Sequence, residues 1–139
     1  MYNIEDSSFE EFSALCEHSI EKTQSSKETY EGYYFNKFTF NGEPLIIGGS
    51  IPVHNFHTDE DELFMCFAIS KDIINHKRAV LFAGKDYFGF MAKQMPLCVM
   101  IEHNNDSFSK FAKHFGFEYT NFVEKNEESG IMYDVYIRR

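Results

Sequence analysis

The sequence has no tryptophan, three cysteines, three prolines and only three arginines among its 139 residues. Each shortage excludes something. Cys16, Cys66 and Cys98 lie far apart, and an odd count with no export signal at Met1–Asp6 argues for free thiols over a disulfide framework. Two of them sit inside apolar runs, where cysteine more often acts as a small hydrophobe than as a nucleophile. Basic residues number 13 against 22 acidic ones, for a formal charge of −9. Binding a phosphate backbone needs a basic stripe. Arg78, Arg138 and Arg139 do not make one, so nucleic acid is not an expected partner. Apolar runs such as Leu97–Ile101 are far too short to span a bilayer. The expectation is a chain that is neither secreted nor inserted in a membrane.

What is abundant is the aromatic ring. Sixteen phenylalanines and eight tyrosines sit within a composition that is 43% hydrophobic. A chain of this length buries about two-thirds of its unfolded surface, and one domain over residues 1–139 is expected. The acidic clusters Asp59–Glu62 and Glu124–Glu128 read most simply as solvated loops. A docking role for them toward a basic protein partner is the alternative.

Hydrophobic periodicity divides the chain. Phe12, Leu15, Cys16 and Ile20 recur at helical spacing behind Ser7-Ser8 and the acidic pair Glu10 and Glu11, which suits a first turn. A helix is expected over residues 8–21, broken by Ser25-Ser26. Tyr33–Phe40 and Pro44–Gly49 read as strands around Asn41-Gly42, a pair that tolerates the positive φ of a tight hairpin. Gly48-Gly49 reads as a bulge or as a close approach to a ligand. Ile51–Glu62 reads as a polar loop, and Leu63–Ile69 as a strand buried on both faces.

Ser70 is a natural N-cap for a long amphipathic helix, on which Ile74, Leu81, Phe88 and Met95 fall a heptad apart, ended by Pro96. Leu97–Glu102 is the next strand. Asn104-Asn105-Asp106 opens a helix carrying Phe108, Phe111, Ala112 and Phe115, and Gly116 stops it. Phe117–Val123 and Ile131–Arg138 complete the set. A strand–helix–strand unit makes one parallel pair. The expected class is therefore α+β: a mixed, mostly antiparallel sheet with helices on both faces.

That order, with Asn105 opening a helix that closes on Gly116-Phe117, resembles the GNAT-type N-acetyltransferase superfamily, the acyl-CoA N-acyltransferase-like fold. More narrowly, Asn41-Gly-Glu-Pro-Leu-Ile-Ile-Gly-Gly49 followed by Val99-Met-Ile-Glu-His-Asn-Asn105 and Gly116 is similar to the internal virion protein A group of short-tailed phages. That resemblance implies a virion or assembly-associated protein, in the virion or host cytoplasm, with other virion proteins as partners and no cofactor. The broader one implies acetyl-CoA as cofactor and transfer of acetyl to an amine. If so, Ser70 and Asn105 are the cofactor-facing positions.

Two departures bear on that activity. The resemblance places a glycine-rich pyrophosphate turn between Phe67 and Ile73, where no glycine occurs. Ser70-Lys71-Asp72-Ile73 stands there, and Asp72 puts negative charge where an anion should sit. Many active members also place a tyrosine, as general acid, at the position held here by Ala112. Tyr119 is near in sequence but has no evident way into a cleft. His54, His57, Glu60, Glu62 and Glu102 have the chemistry of a base for the attacking amine. His54-x-x-His57 beside Asp59 also suggests zinc, but a pair falls short of the three or four converging ligands a zinc site needs. His103 and His114 read as strand-end and helix-surface residues. No catalytic residue and no metal ligand is assigned.

Overall fold

The computed structural model describes residues 1–18, 27–56 and 58–139. Its elements are β1 (Tyr2–Asp6), α1 (Phe9–Cys16), β2 (Tyr34–Phe40), β3 (Glu43–Asn55), β4 (Glu60–Ile69), α2 (Lys77–Ala92), β5 (Leu97–Glu102), α3 (Asp106–His114), β6 (Glu118–Lys125) and β7 (Met132–Arg138). They form a seven-stranded sheet in the order β1-β2-β3-β4-β5-β7-β6. One neighbouring pair is parallel, β4 with β5, through Leu63↔Leu97, Phe64↔Cys98 and Met65↔Val99. The class is the expected one: α+β, a mostly antiparallel sheet with one parallel pair, and three α-helices among the described residues.

The chain forms two compact units, Met1–Ile51 with Cys66–Ala83, and Pro52–Met65 with Gly84–Arg139. In the first, α1 begins where Ser8 Oγ accepts the Glu11 N–H at 3.2 Å, with Glu10 and Glu11 in the first turn. Its inward residues Phe12 and Cys16 join Tyr30, Phe35, Ile47 and Ala68 in one buried cluster. The Phe12 ring lies 5.1 Å from both Tyr30 and Phe35, so aromatic edges and faces fill much of this core. The hairpin between β2 and β3 turns on Asn41 (φ 50) and Gly42 (φ 84), the left-handed pair that its Asn-Gly sequence promised.

In the second unit β5 pairs antiparallel with β7, setting Val99 opposite Tyr136 and Ile101 opposite Asp134. α3 is tied to this sheet by the Tyr136 hydroxyl, which donates to Ser109 Oγ at 3.1 Å. Phe88 of α2 meets Phe115 at 5.1 Å and Phe117 at 5.4 Å. α3 ends in a Schellman motif. The Phe117 N–H reaches the Ala112 carbonyl at 2.9 Å and the Gly116 N–H reaches Lys113 at 3.1 Å, with Gly116 at φ +90°.

Several boundaries differ from the sequence reading. β1 was not expected. Tyr2 and Ile4 alternate with Asn3 and Glu5 over too few residues to stand out, and the strand forms because β2 supplies its partner, with Tyr2 stacked on Phe38 at 5.5 Å. α1 closes at Cys16. Ile20 and Ser25-Ser26, which the longer helix used, lie outside the described residues.

The polar loop expected at Ile51–Glu62 is mostly strand, since β3 runs on to Asn55 and β4 starts at Glu60. Ile51 and Val53 keep the period of two through Pro52 and His54. The segment after Ser70 is a 3-10 helix over Lys71–His76 before α2 takes over. Asn75 donates to the Asp72 carboxylate three residues back at 2.7 Å, a bond suited to the tighter three-residue turn.

Candidate functional site

Ser70 follows β4 in the first unit. Its N–H donates to the Leu45 carbonyl at 2.8 Å, its hydroxyl oxygen accepts the Asp72 N–H at 3.2 Å, and its carbonyl accepts the Ile73 N–H at 3.1 Å. The Asp72 carboxylate lies in the same turn, accepting from Asn75 and standing 3.4 Å from His76 Nε2. Two backbone donors of the turn, the Asp72 and Ile73 N–H groups, are therefore bonded within it, beside the Asp72 carboxylate. Lys71, Lys77 and Arg78 are exposed, and they are the cations near this turn in sequence.

Asn105 belongs to the second unit and caps α3, its Oδ1 accepting the Phe108 N–H at 3.2 Å. Both positions named as cofactor-facing thus act as helix caps. The cap at Asn105 yields a simple expectation: Asn105→Ala lowers unfolding stability by about 1 kcal/mol, read from chemical denaturation. A loss under about 0.3 kcal/mol would mean the cap bond is dispensable.

Ala112, the position at which the resemblance led one to expect a tyrosine acid, is buried, and its carbonyl closes the Schellman motif. Tyr119 lies on β6, with its ring 5.4 Å from Tyr136. Desolvation raises its pKa above 10.0, and the charge of nearby Asp134 adds to the shift. Asp134 is itself buried and stands 3.0 Å from His103 Nδ1. The strand-end reading of His103 holds, but the His103–Asp134–Tyr119 grouping escaped the sequence. It arises from β5, β7 and β6 lying side by side, and no local spacing announces it.

The residues considered as bases separate clearly. Glu62, expected in a solvated acidic loop, is only 4% exposed on β4 and accepts a hydrogen bond from Asn55 Nδ2 at 2.9 Å. Glu60 is held by Arg139 at 2.9 and 3.0 Å. The loop reading fails for both, because each lies on β4, where Glu62 is buried beside Leu63 while Asp61 faces water. Glu102 is exposed at the end of β5.

His54 stands between two carboxylates, Nδ1 2.8 Å from Asp61 Oδ1 and Nε2 3.2 Å from Asp59 Oδ1. The hydrogen bond to Asp61 raises its pKa above 6.5, desolvation opposes that, and Asp59 adds to the rise. The two ring nitrogens point away from each other, so these carboxylates do not converge with the ring on one metal position. Among the described residues no group of three His, Cys, Asp or Glu side chains is arranged to hold a metal ion. His57 lies outside the described residues.

The thiols carry no activation. Burial pushes Cys66 up to about 12 and Cys98 up to about 11, far from the range of a reactive thiolate. No disulfide joins Cys16, Cys66 or Cys98.

Comparison with solved structures identifies the architecture as the GNAT, or acyl-CoA N-acyltransferase-like, fold. The ribosomal-protein-S18-alanine N-acetyltransferase of Escherichia coli superposes with a TM-score of 0.68 at 14% identity, covering 99% of this chain and 93% of that one. A GNAT-family acetyltransferase from Streptococcus pneumoniae gives 0.65 at 11% identity, covering 99% of this chain and 98% of that one. AAC(6')-Ib, solved with paromomycin and acetyl-CoA, gives 0.67 at 9% over 99% and 92%. No protein-family model matches the sequence, and no curated protein matches it. At these identities the likeness is one of fold.

Proposed function

We propose that this chain uses the GNAT fold without acetyl transfer, as a virion or assembly-associated protein of the internal virion protein type found in short-tailed phages. The observation that carries the non-catalytic part is the turn after β4. The Asp72 and Ile73 N–H groups are bonded to Ser70, and the Asp72 carboxylate occupies the same turn. An incoming pyrophosphate would have to break those bonds and approach a carboxylate. Ala112 adds to the case, because a methyl group cannot protonate a departing thiolate. The phage assignment rests on the Asn41–Gly49 string and on the Val99–Asn105 segment that precedes Gly116.

A second reading, an acetyl-CoA-dependent N-acetyltransferase, is favoured by different observations. Its structural neighbours are N-acetyltransferases, one of them solved with acetyl-CoA. Glu62 is a buried carboxylate that accepts a hydrogen bond from Asn55 Nδ2, and a carboxylate is among the side chains that serve as general bases. Ser70 and Asn105 would then adjoin the cofactor, and no glycine turn would assist them.

Calorimetric titration of the intact chain with acetyl-CoA, paired with thermal unfolding, separates the two. The proposal expects no heat and no rise in melting temperature at millimolar ligand. Micromolar binding with a matching thermal shift would overturn it in favour of the enzyme. The virion assignment has its own test, an antibody to the chain applied to purified phage particles. Absence of the chain from both finished particles and assembly intermediates would sink it.

A further inference from the structure

The β3–β4 hairpin carries an arrangement that neither reading of function uses. His54 near the end of β3 faces Asp61 of β4 through Nδ1 at 2.8 Å, and Asp59 of the turn through Nε2 at 3.2 Å. A carboxylate only accepts, so both ring nitrogens must donate for both bonds to exist. A neutral imidazole has one N–H. The pair of bonds therefore requires the imidazolium. We propose that His54, Asp59 and Asp61 form a proton-operated clamp on the tip of this hairpin, closed when His54 is charged and half-released when it is neutral.

The geometry also says which half lets go. Asp61 makes the shorter bond, so a neutral ring keeps its proton on Nδ1. Nε2 then presents a lone pair to the Asp59 carboxylate, and attraction becomes repulsion. Asp59 holds a left-handed backbone conformation, φ 57°, uncommon for a residue with a side chain. Loss of its anchor thus falls on a residue held in the left-handed region.

Two more acids of β4 have partners of their own. Glu60 pairs with Arg139 and Glu62 accepts from Asn55. Above the ring, Phe56 lies edge-on to His54 at 4.9 Å and is 87% exposed. Release of the turn would change how that ring is presented.

The sign of the pH dependence follows. A histidine whose folded-state pKa is raised contributes stability that is complete below its unfolded value, about 6.5, and is lost as pH rises through the folded value. The clamp should be shut in mildly acidic solution and should loosen as pH rises through the raised folded-state value. Surface screening makes the bonds salt-sensitive as well.

The test is nuclear magnetic resonance on the intact, isotope-labelled chain between pH 5 and 9. The expected result is a His54 midpoint above about 6.5, with the amides of Asn55 and Thr58 through Asp61 shifting at that same midpoint. Asp61→Asn should lower the midpoint more than Asp59→Asn. The wild-type titration stands alone if either variant folds poorly. A His54 midpoint at or below the ordinary value would overturn the clamp. So would hairpin amides that stay still while the ring titrates.

Discussion

Phe12→Ala is expected to cost about 3–5 kcal/mol of unfolding stability, the range for deleting a fully enclosed phenylalanine. The side chain has 0% exposure. Its ring contacts, Tyr30 and Phe35 at 5.1 Å each, come from two different parts of the chain. Alanine would leave a void that rigid aromatic neighbours are poorly shaped to fill, and the slightly better helix propensity of alanine in α1 returns only a few tenths of a kcal/mol. Urea unfolding should show a lower midpoint at unchanged slope, because surface exposed on unfolding scarcely changes. Phe122→Ala is the contrasting case. That ring is 63% exposed on β6, and its loss should fall within about 0.5 kcal/mol. A loss below about 1 kcal/mol at Phe12 would mean that the first unit collapses around the gap.

The two phenylalanines show what could and could not be read from the sequence. Phe12 was identifiable because it repeats with Leu15 and Cys16 at helical spacing, and periodicity reports burial directly. Helical spacing also marked α3, whereas β2 showed as an aromatic run, β5 as an apolar one, and the Asn41-Gly42 turn through its tolerance of positive φ. It failed where the pattern was short or mixed. β1 is a strand because β2 binds it, which is a property of the partner. The outer half of β3 hides behind Pro52 and His54. Glu62 looked like one more acid in an exposed cluster, yet its place on β4 buries it, and it accepts a hydrogen bond from Asn55.

Site chemistry was less legible than fold for a related reason. The cap roles of Ser70 and Asn105 are local, spanning two or three residues, and local bonds leave a sequence signature. His54 with Asp59 and Asp61 is nearly local, but its meaning depends on the strand ends facing each other. His103 with Asp134 joins residues far apart in sequence, through the register that sets Ile101 opposite Asp134. Spacing carries no trace of such a contact. The same holds for the turn after β4. The missing glycine was visible in the sequence, whereas the bonding of the Asp72 and Ile73 N–H groups to Ser70 is a property of the folded turn.

Gly49→Ala should then distinguish packing from ligand approach at the Gly48-Gly49 pair, the feature that the narrower family resemblance leans on most. A Cβ at Gly49 would lie 2.8 Å from Phe35 Cε1 and 3.1 Å from Cys66 Sγ. Real side chains do not approach so closely, and Phe35 is only 5% exposed, with little room to retreat. The expected cost is about 1–3 kcal/mol, the usual penalty for overfilling a packed core. Trimming the obstructing ring should return part of that loss. Gly49→Ala combined with Phe35→Leu is expected to be less destabilised than the sum of the two single changes, by about 0.5 kcal/mol or more. Additive losses would mean that the glycine is needed for something other than room beside Phe35. Non-additivity would make the pair a requirement of this core, so that Gly48-Gly49 marks how tightly β2, β3 and β4 close on their aromatic residues and says little by itself about a bound molecule.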